Sequence, residues 1–183
     1  MAEIPEQEYR DRVDTLQEKL QDCGLDAYLV YSNEADFANV RYLSNYWPLF
    51  EVAAVLVPAE GEATLLVGPE SEAYAEGRST IDRIRKLVCL RESAEPEYPG
   101  IEVSNFESVF EETCGSAKVE RVGLGSHAIF PQHVYAELRD ALPNAELIWA
   151  EEVISDMRAI KSQNEIDCLR EAARISQKAV DEV

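Results

Sequence analysis

Apolar residues follow two spacings along the chain, and these spacings predict alternating helices and strands. Near the N-terminus they recur every three or four positions, at Tyr9, Val13, Leu16 and Leu20. This spacing predicts a helix over residues 7–22 that ends at Gly24. The continuous apolar run at residues 27–31 comes next and predicts a strand that is covered on both faces.

Further apolar runs, separated by turn residues, extend this alternation. Strands are predicted at residues 52–57, 63–67, 86–90, 121–124 and 146–149, and helices just after 32–34 and at 69–76, 104–112, 131–142 and 151–160. Gly61 predicts a hairpin between two of these strands, and Ser104 with Glu107 predicts a capping box. Together they predict an α/β fold, with a mixed, mostly parallel sheet of five to six strands and helices on both faces.

The end of the chain carries the strongest local signal. Ser162 and Glu165 have the spacing of a capping box, which predicts that a helix begins at about residue 163. Apolar residues then line one face of that helix, at Ile166, Leu169, Ala172, Ala173, Ile175, Ala179, Val180 and Val183. Such a face needs a surface to pack on. We therefore interpret residues 1–155 as one domain, and residues 156–183 as a linker and the first helix of a second domain that lies outside this sequence.

The charge balance narrows the possible partners. The 183 residues include 36 Asp and Glu against 17 Lys and Arg, for a net charge of -19. This charge repels nucleic acids and anionic lipids, so we expect no nucleic-acid or membrane partner. The N-terminal residues lack the basic and apolar regions of a signal peptide, which favours a cytoplasmic protein. The four Cys and two His residues have no metal-binding spacing, so no metal site is expected in this chain.

One segment resembles a nucleotide-binding motif. Residues 123–128 read Gly-Leu-Gly-Ser-His-Ala and follow a predicted strand, which satisfies the dinucleotide pattern G-x-G-x-x-A. However, Pro131 predicts that the next helix begins too late for its N-terminal amides to reach a pyrophosphate at that loop. The alternative interpretation is a strand-to-loop turn that requires flexible backbone. A stand-alone α/β nucleotide-binding module therefore remains a second functional hypothesis.

The C-terminal helix and its approach resemble a known family. The residues that carry the resemblance are Arg158, Ile160, Lys161, Ser162, Glu165, Ile166, Leu169, Arg170, Ala172 and Ala173. Their order and spacing are similar to the start of the second domain in the creatinase, prolidase and aminopeptidase P family of "pita-bread" metallohydrolases. Residues 41–46 are also similar to a turn of that family, with Asn45 at a position where Gly is frequent.

This resemblance implies a fold and a function. The first domain of the family has a ribonuclease H-like fold and no catalytic residues. The second domain uses two Asp, one His and two Glu to hold two divalent ions (Mn, Co or Zn), which activate water for attack on the substrate. The chain would then be the non-catalytic N-terminal domain of an Xaa-Pro dipeptidase or aminopeptidase. Its partners would be its own catalytic domain, a second subunit in a homodimer, and a proline-containing peptide.

The resemblance also singles out one loop. In dimeric members it encloses the substrate of the neighbouring subunit, which makes Tyr46, Trp47, Phe50 and Glu51 candidate substrate-wall residues. The alternative interpretation is that these aromatic residues cover the domain's own core. Creatinase-type members have an Arg near the position of Glu51, and a carboxylate cannot bind a substrate carboxylate as Arg does. A creatinase-like amidinohydrolase is therefore the alternative within the family.

Overall fold

The computed structural model describes residues 2–49, 52–91, 98, 100–115 and 119–182. The helices are α1 (Glu6–Cys23), α2 (Ala38–Ser44), α3 (Glu72–Glu76), α4 (Phe106–Cys114), α5 (Gln132–Ala141), α6 (Glu151–Ala159) and α7 (Gln163–Asp181). The strands are β1 (Ala27–Ser32), β2 (Ala53–Pro58), β3 (Thr64–Val67), β4 (Ile84–Lys86), β5 (Arg121–Leu124) and β6 (Glu146–Trp149). Helices and strands alternate as the spacing of apolar residues predicts.

The strands form one six-stranded sheet in the order β4-β3-β2-β1-β5-β6. The pairs β1–β5, β5–β6 and β3–β4 are parallel, whereas β1–β2 and β2–β3 are antiparallel. The predicted mixed, mostly parallel sheet is therefore confirmed. The hairpin is also confirmed, and Gly61 in its turn has a φ of 108°, which favours glycine.

Helices cover both faces of the sheet, as predicted, because every residue of β1 and β2 is buried. On one face, α1, α2 and α6 pack on the sheet through an apolar cluster that includes Leu16, Leu20, Leu43 and Ile154. On the other face, α4 and α5 bury Phe106, Val109, Phe110, Val134 and Leu138. Continuous apolar strands need this two-sided cover, which explains why the run at residues 27–31 lacks alternation.

One predicted strand is wrong in position. The strand predicted at residues 86–90 is Ile84–Lys86 instead, and Val88–Leu90 forms a 3-10 turn. Parallel pairing with β3 ends at Lys86, and Cys89 and Leu90 are buried by the turn. The apolar character of this segment therefore reflects burial rather than strand pairing.

The predicted capping box of the fourth helix is also wrong. The cap is Asn105, whose side chain accepts a hydrogen bond from the backbone of Ser108, 2.9 Å away. Ser104 is unavailable as a cap because its backbone N–H donates to the Lys86 carbonyl at 2.7 Å and continues the sheet. The predicted start of the third helix is also wrong, because α3 begins at Glu72 rather than at residue 69.

Within the described residues, no helix combines the length and apolarity needed to cross a bilayer.

Candidate functional site

The loop that carries the substrate-wall candidates follows α2. Asn45 ends this helix with a φ of 57°, so the left-handed backbone expected at a position where Gly is frequent is confirmed. The Tyr9 hydroxyl donates to Asn45 Oδ1 at 2.9 Å and fixes the turn against α1. The next side chain, Tyr46, is only 1% exposed and belongs to the core. The start of the loop is therefore held in place by the Tyr9–Asn45 hydrogen bond and by the buried Tyr46 side chain.

The residues after Tyr46 reach the surface. Trp47 is 38% exposed, and its ring lies 4.8 Å from that of Phe37. The Arg41 guanidinium lies 5.2 Å from the centre of the Trp47 ring, within cation–π distance. Leu49 is 37% exposed, whereas Phe50 and Glu51 lie outside the described residues. Of the four wall candidates, the structure thus places Tyr46 in the core and Trp47 on the surface.

A buried ionic network joins α1 to the start of α7. Glu8 accepts hydrogen bonds from the Ser162 hydroxyl and from Asn164 Nδ2, both at 2.7 Å. Arg12 Nη2 donates to the same carboxylate at 2.6 Å and lies 3.5 Å from Glu165. Burial favours the neutral acid, but the hydrogen bonds from Asn164 and Ser162 and the ion pair with Arg12 hold the pKa of Glu8 below 4.5.

The capping box at Ser162 and Glu165 is confirmed, and the network gives it a second role. The Ser162 hydroxyl accepts from the Glu165 amide at 3.1 Å, and the Glu165 carboxylate accepts from the Ser162 amide at 2.9 Å. The same hydroxyl donates to Glu8 of α1, so one side chain both starts α7 and attaches it to the domain. The direction of α7 relative to α1 is therefore fixed at its first turn.

A second polar contact attaches the end of α6. Arg158 Nη1 donates to Asn39 Oδ1 at 2.5 Å, and Asn39 Nδ2 donates to Ser126 Oγ at 2.9 Å. Ser126 Oγ also accepts from the backbone N–H of Tyr31 at 3.2 Å. This chain of hydrogen bonds connects α6 and α2 to the loop after β5. Neither Glu8 nor Asn39 was selected from the sequence, although the Glu8–Arg12 spacing of four residues was a visible signal.

Beyond its first turn, α7 projects from the domain. None of its residues is buried, and the exposed fractions reach 59% for Leu169, 51% for Ile175 and 70% for Val180. An exposed apolar face of this length indicates an interaction surface. The predicted apolar face is therefore confirmed as far as Val180, whereas Val183 lies outside the described residues.

The glycines of the nucleotide-like segment have a packing role. A Cβ on Gly123 would lie 2.5 Å from Tyr28 Cδ2, and one on Gly125 would lie 2.7 Å from the Tyr28 hydroxyl oxygen. Tyr28 is fully buried and donates to the Ala150 carbonyl at 2.8 Å. The following helix begins only at Gln132, as the position of Pro131 predicts. Close approach to Tyr28 accounts for both glycines without a phosphate ligand.

The two histidines serve packing contacts in this structure. The His127 ring lies edge-on to Trp149 at 4.7 Å, and His133 Nε2 lies 3.2 Å from the Cys89 carbonyl oxygen. Among the described residues, no group of three or more His, Cys, Asp and Glu is arranged to hold a metal ion. The residues present therefore offer no ligand set for the divalent ions that the family resemblance implies.

Comparison with known proteins extends these observations. The family model "Creatinase/Prolidase N-terminal domain" matches residues 12–160. An uncharacterized hydrolase/peptidase (y4tM) of Sinorhizobium fredii is 26% identical over 93% of this chain and 43% of its own length. The prolidase of Pyrococcus horikoshii is 25% identical with a TM-score of 0.66 and covers 93% of this chain and 41% of its own. Our chain thus spans less than half of both proteins.

A separately solved domain has the same fold. It is the N-terminal domain of the cytoplasmic peptidase PepQ from Mycobacterium tuberculosis, which is 23% identical with a TM-score of 0.58. The match covers 80% of this chain and 97% of that one. The match of the family model to most of the chain, together with this shared fold, leads to one conclusion: the chain belongs to the creatinase/prolidase N-terminal domain family.

Proposed function

We propose that the chain is the non-catalytic N-terminal domain of an Xaa-Pro dipeptidase or aminopeptidase that works in the cytoplasm. The observation that carries the proposal is the apolar face of α7, which is attached at its first turn through Glu8 and Arg12 and has no buried residue. The names of the relatives, a prolidase and a hydrolase/peptidase, support the reaction class. In the proposed parent protein, a catalytic domain packs on this face.

The chemistry belongs to that second domain. Two divalent metal ions would be held there by two Asp, one His and two Glu, and when bound they supply an activated water for hydrolysis. The described residues of this chain contribute no such ligands. A creatinase-like amidinohydrolase would share this architecture and is the alternative parent.

The role proposed for this chain is to form the homodimer and to enclose the partner subunit's active site. Trp47 is the described residue best suited to line that site, because its ring is 38% exposed, packs at a tilt against Phe37 and is next to the cation of Arg41. Tyr46 supports it from the core as an anchor rather than as a contact. Phe50 and Glu51 remain candidates on the same loop.

The activity test uses the full-length protein that contains this domain. We expect manganese-dependent hydrolysis of an Xaa-Pro dipeptide and no hydrolysis of creatine. Hydrolysis of creatine in place of the dipeptide would instead support the amidinohydrolase.

The wall role is tested with Trp47→Ala in the same full-length protein. We expect kcat/KM for the dipeptide to fall by about two- to tenfold, because an aromatic contact contributes roughly 0.5–1.5 kcal/mol. Trp149→Ala is the matched control, since Trp149 is 39% exposed but lies on β6, away from the loop. Equal kcat/KM values for wild type and Trp47→Ala would contradict the wall role.

The docking role of α7 is tested with Ile175→Glu. In the full-length protein we expect a lower melting temperature, because the apolar face loses its packing on the second domain. In the present chain the same change should leave the melting temperature unaltered, since Ile175 is 51% exposed. Gln177→Glu, on the same helix, is the charge-matched control. A full-length protein that tolerates Ile175→Glu without any loss of stability would contradict the docking of α7.

A further inference from the structure

A cleft between α1, α2 and the start of α7 has the features of a ligand site. Its volume is about 630 Å³, which lies in the range of small-molecule sites in proteins. Aromatic and apolar side chains line part of it, namely Tyr9, Phe37, Tyr42 and Leu169. Basic side chains line the rest, namely Arg12, Arg41, Arg158 and Lys161. Four of the 17 basic residues of a chain with net charge -19 thus surround one cleft.

Three of these four cations have no carboxylate at ion-pair distance among the residues that the structure describes. Arg12 is neutralised by Glu8 and Glu165. In contrast, Arg158 donates to the neutral Asn39 amide, and Lys161 donates to the backbone carbonyls of Arg158 and Ala159. Within the described residues, no carboxylate lies at ion-pair distance from Arg41, Arg158 or Lys161. The cleft therefore holds a surplus of positive charge.

The carboxylates at the cleft do not cancel this surplus. Glu165 is already bonded to the Ser162 amide and paired with Arg12. Glu3 is exposed at the N-terminal rim of the cleft. Although the chain has 36 acidic residues, no carboxylate in the described part of the chain forms an ion pair with Arg41, Arg158 or Lys161. Like charges held together repel one another, and a bound anion removes that repulsion.

The aromatic side chains next to the cations indicate which chemical groups the bound anion contains. Arg41 lies over the Phe37 ring at 5.8 Å and over the Trp47 ring at 5.2 Å, so its guanidinium borders an aromatic surface. Guanidinium groups bind carboxylates through two parallel hydrogen bonds, and aromatic rings favour an apolar body next to the charge. We propose that this cleft binds a small organic carboxylate with an aromatic or apolar body, held by Arg41 and Lys161. The proposal is argued from side chains of this chain and does not rest on the proposed peptidase function.

The test is calorimetric titration of this chain with benzoate at constant ionic strength, with acetate and inorganic phosphate as comparisons. We expect benzoate to bind at one site per chain, more tightly than acetate or phosphate. Arg41→Gln and Lys161→Gln should each weaken binding by about tenfold, the usual consequence of losing a charged hydrogen bond. Arg139→Gln is the control, because Arg139 is exposed, pairs with Asp140 and lies on α5, away from the cleft.

A second readout comes from Trp47, whose ring contacts the Arg41 guanidinium. In a Trp149→Phe background, Trp47 is the sole tryptophan, and benzoate should change its fluorescence with the same affinity as the calorimetry. Equal affinity in wild type and Arg41→Gln would overturn the site, as would the absence of benzoate binding at millimolar concentration. Tighter binding of phosphate than of benzoate would overturn the proposed ligand class.

Discussion

Replacing Gly123 with alanine tests the packing explanation for the nucleotide-like segment. Gly123 lies on β5 directly beside Tyr28 of β1 in the parallel register. An added Cβ would lie 2.5 Å from Tyr28 Cδ2 and 2.9 Å from Leu25 Cδ1. Normal carbon–carbon contact is about 3.5–4.0 Å, so the new methyl group overlaps the ring by roughly 1 Å.

The overlap cannot be relieved cheaply. Tyr28 is fully buried, and its hydroxyl is bonded to the Ala150 carbonyl at the start of α6. A shift of the ring therefore breaks a buried hydrogen bond or displaces α6. Overpacking of a close-packed core costs about 1–3 kcal/mol, and the short distance places Gly123→Ala near the upper end. We expect the free energy of unfolding to fall by about 3 kcal/mol.

Gly77→Ala is the matched control, because no atom beyond the adjacent residues lies within 4 Å of the added Cβ and the φ of Gly77 is -87°. Alanine is compatible with that backbone, so stability should stay level or rise by about 0.5 kcal/mol. The assay is urea unfolding followed by tryptophan fluorescence and circular dichroism, with a common m-value for all variants. A difference below about 0.5 kcal/mol between the two variants would refute the packing explanation.

Gly125→Ala tests the contact with the Tyr28 hydroxyl group separately. A Cβ on Gly125 would lie 2.7 Å from the Tyr28 hydroxyl oxygen, and its next neighbour is Val30 Cγ1 at 3.1 Å. Removing that oxygen with Tyr28→Phe should therefore reduce the cost of Gly125→Ala by about 1 kcal/mol or more. Equal costs in both backgrounds would contradict the role of the hydroxyl.

Three further predictions follow from other sites. The folded-state pKa of Glu8 lies below 4.5, so the stabilising effect of its carboxylate is complete above pH 4.5 and is lost as the pH falls through the lower folded value. The free energies of urea unfolding of wild type and Glu8→Gln should therefore differ at pH 7 and converge in acid. Burial raises the pKa of Cys89, and that of Cys114 to about 11, so mass spectrometry after iodoacetamide treatment at pH 8 should find the exposed Cys23 modified first. Neither NAD nor ATP should raise the melting temperature, whereas stabilisation by either would support the nucleotide-binding module.

The features that could be predicted from the sequence are those set by neighbouring residues. Gly24, with a φ of 64°, ends α1, and the Ser162 box starts α7, because caps depend on residues three or four positions apart. The strand at residues 86–90 was misplaced since a short apolar run has the same composition in a strand and in a buried turn. Ser104 was misassigned as a cap because its pairing with the sheet cannot be seen in local spacing.

The candidate sites depend on contacts between distant residues, and these could not be predicted. Asn39 and Arg158 are separated by 119 positions, and Glu8 and Ser162 by 154. The resemblance to the family selected Arg158 and Ser162 without indicating what they contact. The same limit applies to the cleft, whose basic residues come from three separate helical segments and the linker.

The strand order has a consequence for synthesis of the protein. β1 is central, but its partner β5 ends at Leu124, so about two-thirds of the 183 residues must be made before that edge of β1 is covered. Until then we expect β1, β2 and β3 to pair as a meander in which one edge of β1 is uncovered. All residues of these three strands are buried in the folded protein. Open apolar edges are the sites at which chains join wrongly. We therefore expect the edge of β1 to be open to incorrect pairing until residues 121–124 are made and close the sheet.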